Sequence, residues 1–220
     1  MVRPPALFSL ADAMTINHVF FDIGGVLGTN GWDRRQRTQA AQEFGIDPED
    51  FSQRHDEVVQ AFESGEMSLD DYLDRTVFVR PRSFTPEDFR KFMHGCSKPF
   101  PDSIAVARAL ADSGKNRMCT TSNEADELSR YRIRLFGLTT IFDTFIASAW
   151  IGVRKPKPVF YERALAITAA RAENSIFIDD REENLVPARA LGFHTIRYES
   201  ADQLRRELIA AGCSLATQPG

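Results

Sequence analysis

Two rhythms of apolar residues run along this chain. At 18–22, 117–122, 144–148, 175–179 and 194–198, short β-favouring runs predict buried strands, the first of them Val19-Phe20-Phe21 ending on Asp22. Gly24-Gly25 follow, a backbone free to turn sharply, and a parallel sheet presents polar groups in this way at the carboxyl ends of its strands. Elsewhere the period is helical.

Between about 33 and 94 the pattern predicts four short helices in a row. The segment 33–44 stops at Gly45, and Asp47-Pro48-Glu49 combines a cap, a first-turn proline and a first-turn acid. Ser68-Leu69-Asp70-Asp71 has capping-box spacing with Asp for the usual Glu, and Thr85-Pro86-Glu87 opens the fourth helix. Phe44, Phe51, Val58, Phe62, Leu69, Tyr72, Leu73, Phe89 and Phe92 are the candidate buried positions of a small bundle, whose aromatic residues read as core rather than binding surface. Beyond residue 100, helices at 102–113, 124–136, 158–170, 182–191 and 201–211 alternate with the strands, which calls for parallel pairing through right-handed crossovers. The expected architecture is therefore α/β: a Rossmann-like parallel sheet core at 16–30 and 100–212, with a helical bundle inserted at 31–99. Residues 1–15, with Pro4-Pro5 and no clean period, read as an extension in which Met14 is an alternative start, and 213–220 as a tail.

Composition narrows the partners. A chain of 220 residues that is 43% hydrophobic and 26% charged has the profile of an ordinary globular protein. Its net charge of −4 and lack of a long basic run point away from nucleic acid and from anionic membranes. A negative protein that takes an anionic substrate needs local help, such as a metal ion. Cys96, Cys119 and Cys213 are widely spaced and contain no CxxC, so neither a zinc site nor a disulfide framework is indicated. With no apolar run near the ~20 residues of a membrane span and no convincing signal-peptide core, a reducing, cytoplasmic location is expected. Monomer and homodimer both fit.

The chemistry lies at the strand ends. In a parallel sheet all strands end on one edge, so Asp22, Ser122-Asn123 and Asp179-Asp180, each following its own strand, should meet there. Lys155 precedes Pro156, which biases it to extended backbone, and Pro158 then opens a helix. Each group has a plainer reading: Asp22 as a turn opener, Ser122-Asn123 as a helix cap, Lys155 as an exposed loop lysine, Asp179-Asp180 as turn and cap residues. Their common placement favours a site. Three carboxylates at one edge repel unless protons or a cation intervene, and Mg²⁺ relieves the conflict while leaving room for phosphate oxygens. Lys155 and Ser122 would then face a phosphoryl group, and Asp22 would attack it to form an aspartyl-phosphate that water hydrolyses.

On these residues the chain resembles the haloacid dehalogenase superfamily, in the branch with a helical cap after the first strand. Glu63-Ser64-Gly65-Glu66-Met67-Ser68, Val153-Arg154-Lys155-Pro156, and Phe177-Ile178-Asp179-Asp180 followed by Asn184 are most similar to the sugar-phosphate phosphatase and epoxide-hydrolase N-terminal-domain group. The resemblance implies a Mg²⁺-dependent phosphatase of a small phosphorylated metabolite, with a sugar phosphate in range. It makes Asp22 the nucleophile and a metal ligand, the Gly24 carbonyl and Asp180 further ligands, and Asp179 a ligand mainly through water. Ser122 and Asn123 would bind phosphate, Lys155 would link nucleophile and phosphate, and Asn184 would order the last loop. One departure stands out: the family's phosphatases usually carry a second Asp, the general acid, where this chain has Gly24, and losing such a group costs ~10²–10⁴ in rate.

Three rivals follow. A catalytically weak or inactive phospho-ligand binder is the alternative that Gly24 supports. A 2-haloacid dehalogenase also lacks the second Asp but needs no metal, which matches Asp179-Asp180 poorly. A phosphonate hydrolase wants a cap lysine, and Lys91 and Lys98, both near the end of the insertion, are the lysines there. Trp32 stands equally as a stacking surface for substrate or as cap core. Arg34 and Arg154 read as surface residues, and His18, His55, His94 and His194 carry no motif.

Overall fold

The computed structural model describes residues 15–216, so Met14, nearly all of the expected N-terminal extension and the last four residues of the tail lie outside the described residues. Among the described residues, five strands form one parallel sheet in the order β3-β2-β1-β4-β5: β1 His18–Asp22, β2 Arg117–Ser122, β3 Thr144–Ala147, β4 Ser175–Asp179 and β5 His194–Arg197. β1 is central, and register pairs Asp22 with Thr121 on β2 and Phe21 with Ile178 on β4. The polar ends of β1, β2 and β4 therefore lie along the same edge.

The strands are buried on both faces, and period-two alternation decides which side chain goes where. Val19, Phe21, Met118, Ile176 and Ile178 pack with Val106 and Leu110 of α5 (Pro101–Asp112), Ile133 of α6 (Asp126–Leu135) and Leu204 and Leu208 of α10 (Ala201–Ala210). Phe20, Cys119, Ile146 and Phe177 face the other way, onto Phe160 and Ala164 of α8 (Pro158–Thr168) and Leu185 and Ala188 of α9 (Glu182–Ala190). Each fully buried Phe of these strands contributes ~1.5–3 kcal/mol by leaving water, so the two layers hold the strand ends rigidly. The three cysteines are free, and no helix among the described residues is long and apolar enough to cross a membrane.

Four helices are inserted between β1 and α5: α1 Arg34–Glu43, α2 Pro48–Glu63, α3 Leu69–Thr76 and α4 Pro86–Gly95. Their starts follow the local chemistry. Asp33, Asp47, Ser68 and Thr85 cap them with side-chain oxygens, and Thr85 and Asp88 complete a capping box. Gly45, at φ 61°, supplies the left-handed step after α1. The helices share a core of their own around Phe51, Phe62, Tyr72, Leu73 and Phe89, with Phe44 and Phe92 half-buried at its margin.

Inside that core runs a short polar chain. The Trp32 indole N–H donates to the Tyr72 hydroxyl at 2.7 Å, and the same hydroxyl lies 2.9 Å from His55 Nδ1. Burial, with Arg37 and Arg154 nearby, pushes His55 down to about 3, so its ring is neutral at ordinary pH. Tyr72→Phe keeps the ring that stacks on Phe62 at 4.2 Å but strips both neighbours of their partner. Leaving buried polar groups unpaired costs ~1–3 kcal/mol. Denaturant titration of Tyr72→Phe should show a loss of about that size, and an unchanged midpoint would mean that water replaces the hydroxyl.

Most boundaries fall within two residues of expectation, and two of the differences have a visible cause. α6 begins at Asp126, two residues late, because 123–125 leave the sheet edge as a loop in which Glu124 N–H donates to Ser148 Oγ at 3.0 Å. β3 ends at Ala147, and Ser148 instead opens a short helix, α7 (Ser148–Ile151).

Candidate active site

Asp22 ends β1 only 7% exposed, with one carboxylate oxygen accepting the Ile23 N–H at 2.7 Å. The Lys155 ammonium lies 3.1 Å from that oxygen and donates to Asp179 Oδ2 at 2.7 Å, its side chain 1% exposed. Lys155 is thus a buried bridge between the ends of β1 and β4, and the exposed-loop reading falls. Burial works against its charge, and the Asp179 and Asp22 carboxylates overcome it and raise its pKa. Burial pushes the Asp22 carboxyl up, Asp179 and Asp180 push the same way, and Lys155 opposes them.

The neighbours are spent on holding this arrangement. Asn123 accepts the Lys155 N–H and donates to the Lys155 carbonyl, both at 2.8 Å. Its side chain therefore braces the lysine loop while lining the cavity, and it is no cap, since α6 is capped at Ala125 without a side-chain bond. Asn184 donates to both oxygens of Asp179 at 2.9 and 3.0 Å, and Arg181 N–H adds a third bond. Ser122 closes β2 beside them, 4% exposed and lining the same cavity.

Asp180 is different. Its Oδ1 is buried and makes no hydrogen bond, and burial, followed by Asp179, pushes its carboxyl up. Asp22, Asp179 and Asp180 each offer a carboxylate oxygen within 4.8 Å of the others. A hard divalent cation fits this donor set, because it would satisfy the orphaned oxygen and offset three crowded charges. Gly25, at φ 78°, lets the backbone pass there, since a Cβ would run into the Asp180 carboxylate. Gly24 has no such need: its φ is not left-handed, and a Cβ would stand 3.2 Å from Asn30 Oδ1.

Asp22, Gly24, Ser122, Asn123, Lys155 and Asn184 line a cavity of about 870 Å³ between the sheet edge and the inserted helices. Trp32 reaches its wall but belongs mainly to the insertion's core, 7% exposed against Phe51, Phe89 and Phe92. Of its two readings the packing one prevails. Arg154, expected at the surface, lines the cavity with Nε 2.7 Å from Glu63 Oε2, whereas Arg34 lines it as an exposed residue. Sequence reasoning gave no role to Glu63, Arg37 or His55 of the insertion, or to the buried Glu124–Arg132 pair at 2.6 Å, all of which line the cavity. A signal existed only for Glu63, which precedes the Ser64-Gly65 turn; the others look like ordinary surface or core residues in sequence.

Comparison with known proteins agrees with this geometry. A sesquiterpene phosphatase, astK of Aspergillus oryzae, is 31% identical over 183 residues, 81% of this chain and 87% of that protein. Bifunctional epoxide hydrolase 2 of Rattus norvegicus is 32% identical over 108 residues, 48% of this chain and 20% of its own length. A HAD-family enzyme of Bacteroides thetaiotaomicron, crystallised with magnesium and inorganic phosphate, superposes with a TM-score of 0.71 at 19% identity, covering 84% of this chain and 94% of that one, and so shares the fold. Residues 16–192 match the haloacid dehalogenase-like hydrolase family, and the chain is a member of it.

Proposed function

We propose that this protein is a Mg²⁺-dependent phosphatase of a small, polar phosphorylated metabolite, with Asp22 as the nucleophile. The observation that carries the reading is the buried Asp22–Lys155 contact of 3.1 Å at a strand end that also holds the unpartnered Asp180 oxygen. A structural ion pair needs no third carboxylate with an unpartnered oxygen, and a metal-assisted phosphoryl-transfer site does. The naming of the sesquiterpene relative and of phosphatases among other curated relatives supports the same reaction class.

The assigned roles follow from the contacts. Asp22 attacks phosphorus and the ester P–O bond breaks, giving an aspartyl-phosphate that water then hydrolyses. Lys155 favours the charged form of the nucleophile against its burial and faces the phosphoryl charge, while Ser122 at the neighbouring strand end supplies a hydroxyl donor. Asn123 and Asn184 position Lys155 and Asp179 from the cavity wall. Asp22, Asp180 and the Gly24 carbonyl would hold the metal, and Asp179, whose oxygens are occupied by Lys155, Asn184 and Arg181, would act through water. Bound Mg²⁺ supplies charge neutralisation at the carboxylates and polarisation of phosphoryl oxygens.

Cavity chemistry sets the substrate class. Among its lining residues the apolar side chains are Trp32 and Val59, while Arg34, Arg35, Arg37, Arg154 and Arg181 add positive charge. That lining suits a polar phosphate ester such as a sugar phosphate and suits an apolar chain poorly, in spite of the sesquiterpene relative's name.

Two experiments test the proposal. Purified protein should hydrolyse members of a panel of sugar phosphates, small phospho-acids, 4-nitrophenyl phosphate and farnesyl phosphate in Mg²⁺, lose the activity in EDTA, and recover it on readdition. Asp22→Asn should cut turnover by at least ~10³; wild type no faster than this variant on every ester would sink the reading, and a preference for farnesyl phosphate would overturn the substrate class. Separately, Gly25→Ala should weaken Mg²⁺ binding at least ~10-fold by calorimetry by pushing Asp180 aside, while near-native circular dichroism shows that the fold survives.

A further inference from the structure

Breaking the ester of an alkyl alcohol needs a proton for the departing oxygen, and Gly24, two residues after the nucleophile, has no side chain to provide one. The cavity must supply it. Of its acids, Asp22 is the nucleophile, and Asp33 is occupied as the N-cap of α1, accepting from Arg35 N and Gln36 N. Glu124 is gripped by Arg132 at 2.6 Å with the pair almost fully buried. His55 spends Nδ1 on Tyr72 and stays neutral. Glu63 remains.

Glu63 is the last residue of α2, and its backbone is fastened to the phosphate end of the site. Ser148 Oγ donates to the Glu63 carbonyl at 2.5 Å and accepts the N–H of Glu124, which follows Ser122-Asn123 directly. Two residues on, Gly65 at φ 80° brings the chain so close to the Ala149 backbone that a Cβ there would collide with the Ala149 carbonyl. The insertion is thus anchored to the core at this turn, with the Glu63 side chain in the cavity. Its carboxylate is 2.7 Å from Arg154 Nε, yet the N–H is not aimed along that line, and neither atom makes a hydrogen bond. It is a mostly buried carboxyl that lines the cavity, faces the Arg154 charge, and has an oxygen, Oε2, that accepts no hydrogen bond.

Resting on the phosphatase reading, we infer that Glu63 is the general acid and base of this enzyme, carried by the inserted helices in place of a side chain at Gly24. In the first step the Asp22 carboxylate bonds to phosphorus, the ester P–O bond breaks, and the leaving oxygen takes the Glu63 proton. In the second, water attacks the aspartyl-phosphate, gives its proton to the Glu63 carboxylate, and releases Asp22 and inorganic phosphate, restoring the acid. The charges facing Glu63 suit this cycle. Burial pushes its pKa up to about 7, Arg154, Arg37 and Arg181 hold it down from going further, and Glu124 adds to the rise.

The test is leaving-group dependence. Glu63→Gln should lower kcat for an alkyl phosphate such as glycerol phosphate by ~10²-fold or more, with a fall at least ten times smaller for 4-nitrophenyl phosphate, whose phenolate leaves with less help. In wild type, kcat for the alkyl ester should decline as pH rises through about 7, since the acid must be protonated, and Glu63→Gln should erase that limb. Gly24→Asp in the Glu63→Gln background should restore alkyl turnover. Equal losses on both esters with the pH limb intact, or no recovery with Gly24→Asp, would reduce Glu63 to a latch between insertion and core and overturn the assignment while leaving the phosphatase reading standing. A wild type that hydrolyses neither ester overturns both.

Discussion

Three carboxylates and one ammonium share the carboxyl edge of the sheet, all but Asp180 nearly out of reach of water, and the surrounding structure is arranged to keep them there. Desolvating each ion costs several kcal/mol, and such clusters persist only where geometry and hydrogen bonds repay the cost. Lys155 bridges Asp22 and Asp179, Asn123 clamps the lysine's backbone from both sides, and Asn184 and Arg181 fill the lone pairs of Asp179. The one unpaid oxygen, on Asp180, marks where the arrangement is incomplete as protein alone. A structure built for stability would have closed it.

That arrangement depends on two rigid supports. Period-two alternation sends neighbouring strand residues into opposite apolar layers, so β1, β2 and β4 end in register and cannot slip without turning core side chains outward. The inserted helices carry a second apolar core, into which Ala125 and Leu128 of the α6 region also pack, and they meet the sheet edge at the Ser148–Glu63 bond and the close pass of Gly65 over Ala149. The first support fixes the reacting groups, and the second brings a roof over them and narrows access for water.

Charge is distributed to match. The chain as a whole is negative by four, yet the cavity wall carries arginines from the insertion and from the loops after β3 and β4. A cleft lined in this way attracts anions that the bulk surface repels, a local field that net charge conceals.

Much of this could be read from the amino-acid order. Caps, first-turn prolines and stop glycines are short-range chemistry, and they placed the helix starts at Asp33, Asp47, Ser68 and Thr85. The rule that parallel strands end together placed Asp22, Ser122 and Asp179-Asp180 on one edge, because in a sheet the direction of a strand is enough to say where its last residue lies. What the order could not say was how side chains divide their hydrogen bonds. Asn123 looks equally like a cap, a ligand or a brace until Lys155 is seen threading between its amide atoms, and Trp32 looks free to stack until Tyr72 takes its N–H. Glu63 and Arg154 stand far apart in sequence, and only the docking of the insertion brings them within 2.7 Å. The sequence by itself determined the fold and the edge on which Asp22 lies, since both follow from local pattern and strand polarity. Tertiary packing alone decided which groups are spent, which are spare and which face one another across the cleft, because burial and partner choice are properties of neighbours in space.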